Sequence, residues 1–321
     1  MKKRHIVAGI IGIPLTILLI VPLIIPVPKL KDTVADIRAL AYPYSTFTNI
    51  GGLDVHCRVE GRGTPAIILL HGFGASLYSW RDVAVPLSRI GTVIAIDYPP
   101  FGLTGRYSSD VAKGKNKYGI DTSAALTVSV MKAFGFKNAI LVGNSLGGYL
   151  AAVTALSYPS NVSGLILVDA AVYSAGPPPL LPIIAQLPQV DSLGPLISRQ
   201  LKDVGISILI SAWHDTNRVT KDVIENYRRP LRMPAWDRAL WSFTAAVRPK
   251  DIVPRLSSLR MPVLVITGDD DRLVPASNSI RLARDIPGAK LIVITNCGHM
   301  PQEEKPREFM NAVEPFLLRM R

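Results

Sequence analysis

The sequence predicts an α/β fold with a mostly parallel sheet, and three observations carry that expectation. Short runs rich in β-branched side chains recur along the chain, helix-length segments separate most of them, and one strand-to-helix junction sets a serine between two glycines. Continuous apolar runs of this length fit strands buried on both faces, as in a parallel sheet, whereas a strand with one wet face alternates apolar and polar residues.

The chain opens with a basic stretch, Met1 to His5, and an uncharged run over 6–27, 22 residues rich in Ile and Leu. At ~1.5 Å per residue this run reaches about 33 Å, enough to cross the hydrocarbon core of a bilayer. It exceeds the apolar region of a cleaved signal, about 7–15 residues, and no small-residue cleavage site follows it directly. Residues 1–28 are therefore expected to form a retained transmembrane anchor, kinked at Pro14 and Pro22. The positive-inside rule leaves the N-terminus in the cytoplasm and the rest of the chain outside. Residues 29–45 read as a linker.

The globular part begins at residue 46. Its expected strands are 54–59, 66–70, 92–96, 139–142, 164–168, 263–267 and 291–294, and its expected helices are 80–89, 122–134, 147–158, 277–284 and 306–318. The alternation breaks once, where about 90 residues separate two strands that should be consecutive. This interval, 172–260, is expected to be a helical lid with helices near 193–213, 220–227 and 236–247. The core is then 46–171 together with 261–321.

Composition narrows the function classes. The chain has 321 residues, 48% hydrophobic and 19% charged, with a mean hydropathy of +0.28, which excludes a disordered protein. Its net charge of +12 raises the question of nucleic acid. Five of the cations, Lys2, Lys3, Arg4, Lys29 and Lys31, flank the apolar run, and no Lys/Arg tract interleaves with aromatics. The charge points to an anionic lipid surface and not to nucleic acid. Cys57 and Cys297, the two cysteines, supply neither a disulfide scaffold nor a zinc site.

The chemistry centres on Gly143-Asn-Ser145-Leu-Gly147, between the strand 139–142 and a helical run. Small residues on both sides let the chain turn sharply and hold the Ser145 hydroxyl out at the carboxyl end of the sheet. A serine nucleophile needs a histidine base and an acid to orient it, in the chain order Ser, Asp or Glu, His. Of the five histidines only His299, in Gly298-His-Met-Pro301, follows the last strand. The acid is expected at Asp271 in Gly268-Asp-Asp-Asp271-Arg-Leu-Val-Pro275, with Asp269 shaping the turn and Asp169, at the end of strand 164–168, as a further option. The oxyanion hole should combine the N–H of Leu146 with that of Phe73 in His71-Gly-Phe-Gly74, where His71 acts as a brace.

These motifs, with Asp97-Tyr-Pro-Pro-Phe-Gly-Leu-Thr104 and Gly298-His-Met-Pro-Gln-Glu-Glu304, resemble the α/β-hydrolase fold superfamily from residue 46 to the C-terminus. Pro100 and Thr104 depart from the Gly and Ser usual in the loop after Asp97. The resemblance implies an eight-stranded sheet, a lid after the sixth strand, and a serine hydrolase that needs no metal or organic cofactor. Dehalogenases and epoxide hydrolases share the fold but use Asp at the elbow, so Ser145 argues against both. The leading expectation is a membrane-anchored hydrolase of carboxylic esters with an apolar, lipid-like part, with no nucleic acid and no obligate protein partner. Trp213, Trp236, Trp241 and Phe243, with Leu180, Leu181 and Ile183, are the candidate acyl-pocket residues. The alternatives are a C–C bond hydrolase of the meta-cleavage type, to which Gly-Asn-Ser-x-Gly-Gly is similar, and a catalytically retired binding module.

Overall fold

The structure is a computed structural model that describes residues 22–24, 26–107, 117–174, 180–246 and 251–320. Eight strands form one sheet: β1 (Ser45–Ile50), β2 (Leu53–Glu60), β3 (Ala66–Leu70), β4 (Thr92–Ile96), β5 (Ala139–Asn144), β6 (Val162–Val168), β7 (Val263–Gly268) and β8 (Lys290–Ile294), in the order β1-β2-β4-β3-β5-β6-β7-β8. β1 pairs antiparallel with β2 and β2 with β4; the remaining pairings are parallel.

The apolar runs are continuous because the sheet is covered on both faces. Ile68, Leu70, Leu141, Leu165, Leu167 and Val265 point into one core layer, and Ile67, Leu69, Ile140, Val142, Ile166 and Ile266 into the other. Successive strand side chains alternate faces, so each central strand feeds both layers. The first layer lies under helices α2 (Ile120–Ala133), α3 (Leu146–Ser157) and α9 (Ala276–Asp285), and the second under α1 (Ala84–Ser88) and α10 (Pro306–Leu318). Edge strand β8 is mostly exposed although four of its five residues are apolar.

Several expectations change. The segment expected as one helix at 80–89 is a 3-10 turn, Leu77–Trp80, held by the Ser76 hydroxyl on Tyr78 N–H, and the short α1. Residues 29–45 are not a free linker: Leu30, Val34 and Ile37 pack on the core, Leu40 is buried, and Val34 N–H donates to Arg232 O at 3.0 Å. The run 6–27 lies largely outside the described residues, among which no helix is long and apolar enough to cross a membrane.

Between β6 and β7 the described residues form five α-helices, α4 (Leu181–Ala185), α5 (Pro188–Arg199), α6 (Leu201–Ser211), α7 (Lys221–Arg228) and α8 (Trp236–Ala246), joined in part by 3-10 turns. Helix 193–213 of the sequence reading is thus two. Met233, Trp236, Leu240 and Phe243 join the core layer beneath, so this insertion is packed on the sheet domain.

Candidate active site

Ser145 sits at the carboxyl end of β5 and opens α3 with φ 55° and ψ −117°, a left-handed conformation that a non-glycine residue adopts only when its surroundings enforce it. The flanking glycines do so. A Cβ on Gly143 would lie 2.2 Å from Gly147 O, and one on Gly147 would lie 2.1 Å from Leu70 O. Ser145 N–H donates to Val168 O at 2.9 Å, and Ser145 O accepts from Tyr149 and Ala171 N–H. The turn is fixed on both sides.

Of the three consecutive acids after β7, only Asp271 reaches His299. Its Oδ2 accepts from His299 Nδ1–H at 2.6 Å, while Oδ1 accepts from Leu273 and Val274 N–H at 2.8 and 2.9 Å. An ionised carboxylate is acceptor-only, so the imidazole proton is assigned to Nδ1 and the basic lone pair to Nε2. Asp269 accepts from Cys297 N–H at 3.2 Å and ties the two loops together, while exposed Asp270 pairs with Arg272 and His214. His299 is buried and anchored: its N–H donates to Ala212 O at 2.7 Å, and its carbonyl accepts from Asn144 Nδ2 at 3.0 Å. Asp169 lies behind this pair, fully buried, its Oδ1 accepting from Thr267 Oγ1–H and Gly268 N–H.

Ser145 and His299 line one cavity of about 310 Å³. Phe73 lines it too, and Gly72 is close enough that a Cβ there would sit 3.3 Å from Ser145 Cβ. Neither Phe73 N–H nor Leu146 N–H donates to a backbone carbonyl among the described residues. Two free donors and the positive end of α3 therefore flank the hydroxyl, an arrangement suited to a developing oxyanion.

The rest of the wall is mainly apolar: Phe101, Leu201, Ile206, Leu209, Leu231, Trp236 and Leu240 contribute, with Arg106, Lys202 and Arg228 as cations and no carboxylate among the described residues. Arg106 donates to the carbonyls of Phe101, Thr104 and Gly102, and burial pulls its guanidinium down to about 10. Of the aromatic candidates, Trp236 lines the cavity and three do not. Trp213 packs with Leu209, Ala212, Val223 and Met300. Trp241 lies on Gly194 of α5, its Nε1–H on Asp191 at 3.0 Å, and Phe243 packs behind the cavity wall against the rings of Phe73 and Phe101. Leu180 and Ile183 are exposed and lie outside the cavity wall. Helical insertion residues recur every three to four positions on both faces, so spacing alone did not show which face turns inward.

Asp97 holds the loop that forms the cavity's other wall. It accepts from His56 Nδ1–H and from Leu77 and Leu103 N–H at 2.6 to 2.7 Å. Thr104 fits in place of the usual Ser: its hydroxyl donates to Asp97 O and accepts from His56 N–H. His71 is the expected brace, with Nδ1 on Gly72 O at 2.8 Å and a ring that burial keeps neutral.

Asp169, Asp271 and His299 place one ligand atom each within 4.8 Å of one another, the only such trio among the described residues. At 2.6 Å the Nδ1–Oδ2 contact has hydrogen-bond length; two ligands on one metal at ~2.1 Å each sit farther apart. The trio fits a proton better than a metal ion.

A model described as alpha/beta hydrolase fold matches residues 65–306. The chain belongs to the alpha/beta hydrolase fold family. It is 31% identical over 303 residues to a 2-hydroxy-6-oxononadienedioate/2-hydroxy-6-oxononatrienedioate hydrolase of Burkholderia vietnamiensis, covering 90% of this chain and all of that one. Among solved structures it resembles a meta-cleavage product hydrolase of Pseudomonas fluorescens, with 26% identity, TM-score 0.64, and 84% and 96% of the two chains covered. It also resembles a thermophilic esterase of Thermogutta terrifontis at 24% identity and TM-score 0.69, with 86% and 97% covered; at that identity the likeness concerns the fold.

Proposed function

We propose that this alpha/beta hydrolase is a serine hydrolase of the meta-cleavage type, cutting a C–C bond next to a carbonyl in a 2-hydroxy-6-oxo acid. This class is the alternative to an ester hydrolase, and it is favoured because relatives of this chain are named as 2-hydroxy-6-oxo acid and meta-cleavage product hydrolases. The observation that carries the catalytic part is the Asp271–His299 bond facing, across one cavity, a serine on a strained turn. Ser145 Oγ adds to the carbonyl while His299 Nε2 takes its proton; Asp271 holds the tautomer and stabilises the imidazolium. Phe73 and Leu146 N–H groups hold the oxyanion. The proton passes to the departing carbon, and water then releases the acid from Ser145. Three cations on the wall suit an acidic substrate.

A second reading, hydrolysis of a carboxylic ester with an apolar acid, rests on the apolar wall formed by Phe101, Leu201, Ile206, Leu240 and their neighbours. Residues 6–27 are proposed, on length and lack of charge, as a membrane anchor that places the domain outside the cytoplasm. The test is turnover of a 2-hydroxy-6-oxo-dienoate beside a p-nitrophenyl ester series, with Ser145→Ala in parallel. The proposal expects the dienoate to be cleaved with the higher kcat/KM, and expects the variant to lose it. Faster ester cleavage establishes the second reading. A folded parent inert to both overturns the enzyme reading and leaves the binding module.

A further inference from the structure

The mechanism leaves one fully buried acid beside its base unused. Asp169 follows β6 at φ 45°, fastened by its N–H to Ile266 O at 2.9 Å. Its Oδ1 accepts two hydrogen bonds, from Thr267 Oγ1–H at 2.6 Å and Gly268 N–H at 3.2 Å, whereas its buried Oδ2 has no partner that donates to it. Facing it are Asp271, His299 and the Cys297 thiol, which burial keeps protonated. No cation faces it.

Two carboxylates this close inside a protein cannot both ionise. Asp271 has three N–H donors, two from the backbone and one from His299, so it keeps the charge. Asp169 has the weaker donor set and an empty Oδ2. We propose that Asp169 is a positioning residue, held as a neutral carboxylic acid whose Oδ2–H donates to the Asp271 carboxylate and so fixes the acid that orients His299. Burial first, and the facing Asp271 charge second, push the Asp169 carboxyl well above the ordinary carboxylate range, in the same sense. The trio then carries one net negative charge at rest and none once His299 becomes an imidazolium, whose new charge the Asp271 carboxylate balances.

This inference rests on the reading of Ser145, His299 and Asp271 as the catalytic set, and its test separates the two. Asparagine reproduces a neutral acid: its Oδ1 accepts from Thr267 and Gly268, its amide donates to Asp271, and it tolerates a positive φ. The rate at which a fluorophosphonate labels Ser145 is measured against pH for the parent, Asp169→Asn and Asp169→Ala. The proposal expects Asp169→Asn to keep the parent's rate within about threefold and its pH midpoint unmoved, and Asp169→Ala to slow labelling about tenfold or more. A midpoint about one pH unit lower in Asp169→Asn would overturn it, because that is the signature of removing a real negative charge from beside His299. Labelling of Asp169→Ala at the parent's rate would overturn it as well. Infrared spectroscopy of the parent at neutral pH decides even where the alanine variant does not fold. The proposal expects the carbonyl stretch of a protonated buried acid, missing from Asp169→Asn, and its absence from the parent refutes the neutral acid. A parent that takes no label ends the catalytic reading, while the infrared band still reports on the proton.

Discussion

The molecule contains two serine–histidine–aspartate arrays, and they differ in what surrounds them. In one, Ser45 Oγ–H donates to His56 Nε2 at 2.6 Å and His56 Nδ1–H donates to Asp97 Oδ2 at 2.6 Å, a relay as well formed as any hydrolase needs. In the other, His299 Nδ1–H donates to Asp271 at the same 2.6 Å and Ser145 shares a cavity with the imidazole. Ser45 starts edge strand β1, its oxygen already accepts from Tyr42 N–H at 2.8 Å, and Tyr42 stacks on Tyr44 beside it. It lines no part of the cavity. Ser145 has the strained turn, the void and the two unspent N–H donors. On the proposed reading, what distinguishes the nucleophile is not the pairing of a serine with a histidine and an acid but room for a carbonyl and donors for its oxyanion.

Breaking each array should give opposite results. Ser145→Ala is expected to lower kcat by about 10⁴-fold or more without unfolding the protein, while Ser45→Ala leaves kcat of the folded enzyme within about twofold and removes about 1 kcal/mol of stability. Steady-state kinetics beside urea titrations separate the two effects. Asp271→Asn is expected next, at about 10³- to 10⁴-fold in kcat, since the amide favours the wrong tautomer of His299. Its counterpart His56→Ala leaves Asp97 buried without its main partner and should lower stability by about 3–5 kcal/mol, with kcat per folded molecule retained.

Acid sharpens the comparison. Burial works against the Asp97 charge, but His56 beside it and the Leu103 N–H outweigh it and hold the carboxyl below its ordinary 3.8. A carboxyl depressed in the folded state contributes stability that is fully present above 3.8 and is lost as pH falls through the lower folded value. Unfolding free energy measured below pH 4 should therefore fall less steeply in Asp97→Asn than in the parent. Trp236 and Trp241 give the smallest contrast. Trp236→Ala enlarges the cavity and should change KM by about tenfold. Trp241→Ala opens a hole between α5 and α8, costing about 3–5 kcal/mol of stability while leaving KM alone.

What was legible follows from the range of the forces involved. The central strands read correctly because burial on both faces writes itself into consecutive residues, as in 66–70 and 263–267. Ser145, Asp271 and His299 could be singled out because each stands at a strand end with the turn residues its geometry needs. The Ser45–His56–Asp97 array was not legible, because it depends on the β1–β2 pairing and on β2 running beside β4. Nor were the cavity residues of the insertion: Trp236 and Trp241 are five apart on one helix, and only its packing against Gly194 and the core decides which faces the cavity. The partnerless oxygen of Asp169 appears only when β6 and β7 are set side by side.

The central claim is that one serine of the two is the nucleophile. It is tested most directly by labelling the full chain with a fluorophosphonate and locating the adduct by peptide mass spectrometry. The account predicts an adduct on Ser145 that vanishes in Ser145→Ala, is strongly slowed in His299→Ala and persists in Ser45→Ala. An adduct on Ser45, or labelling that survives Ser145→Ala, would contradict it.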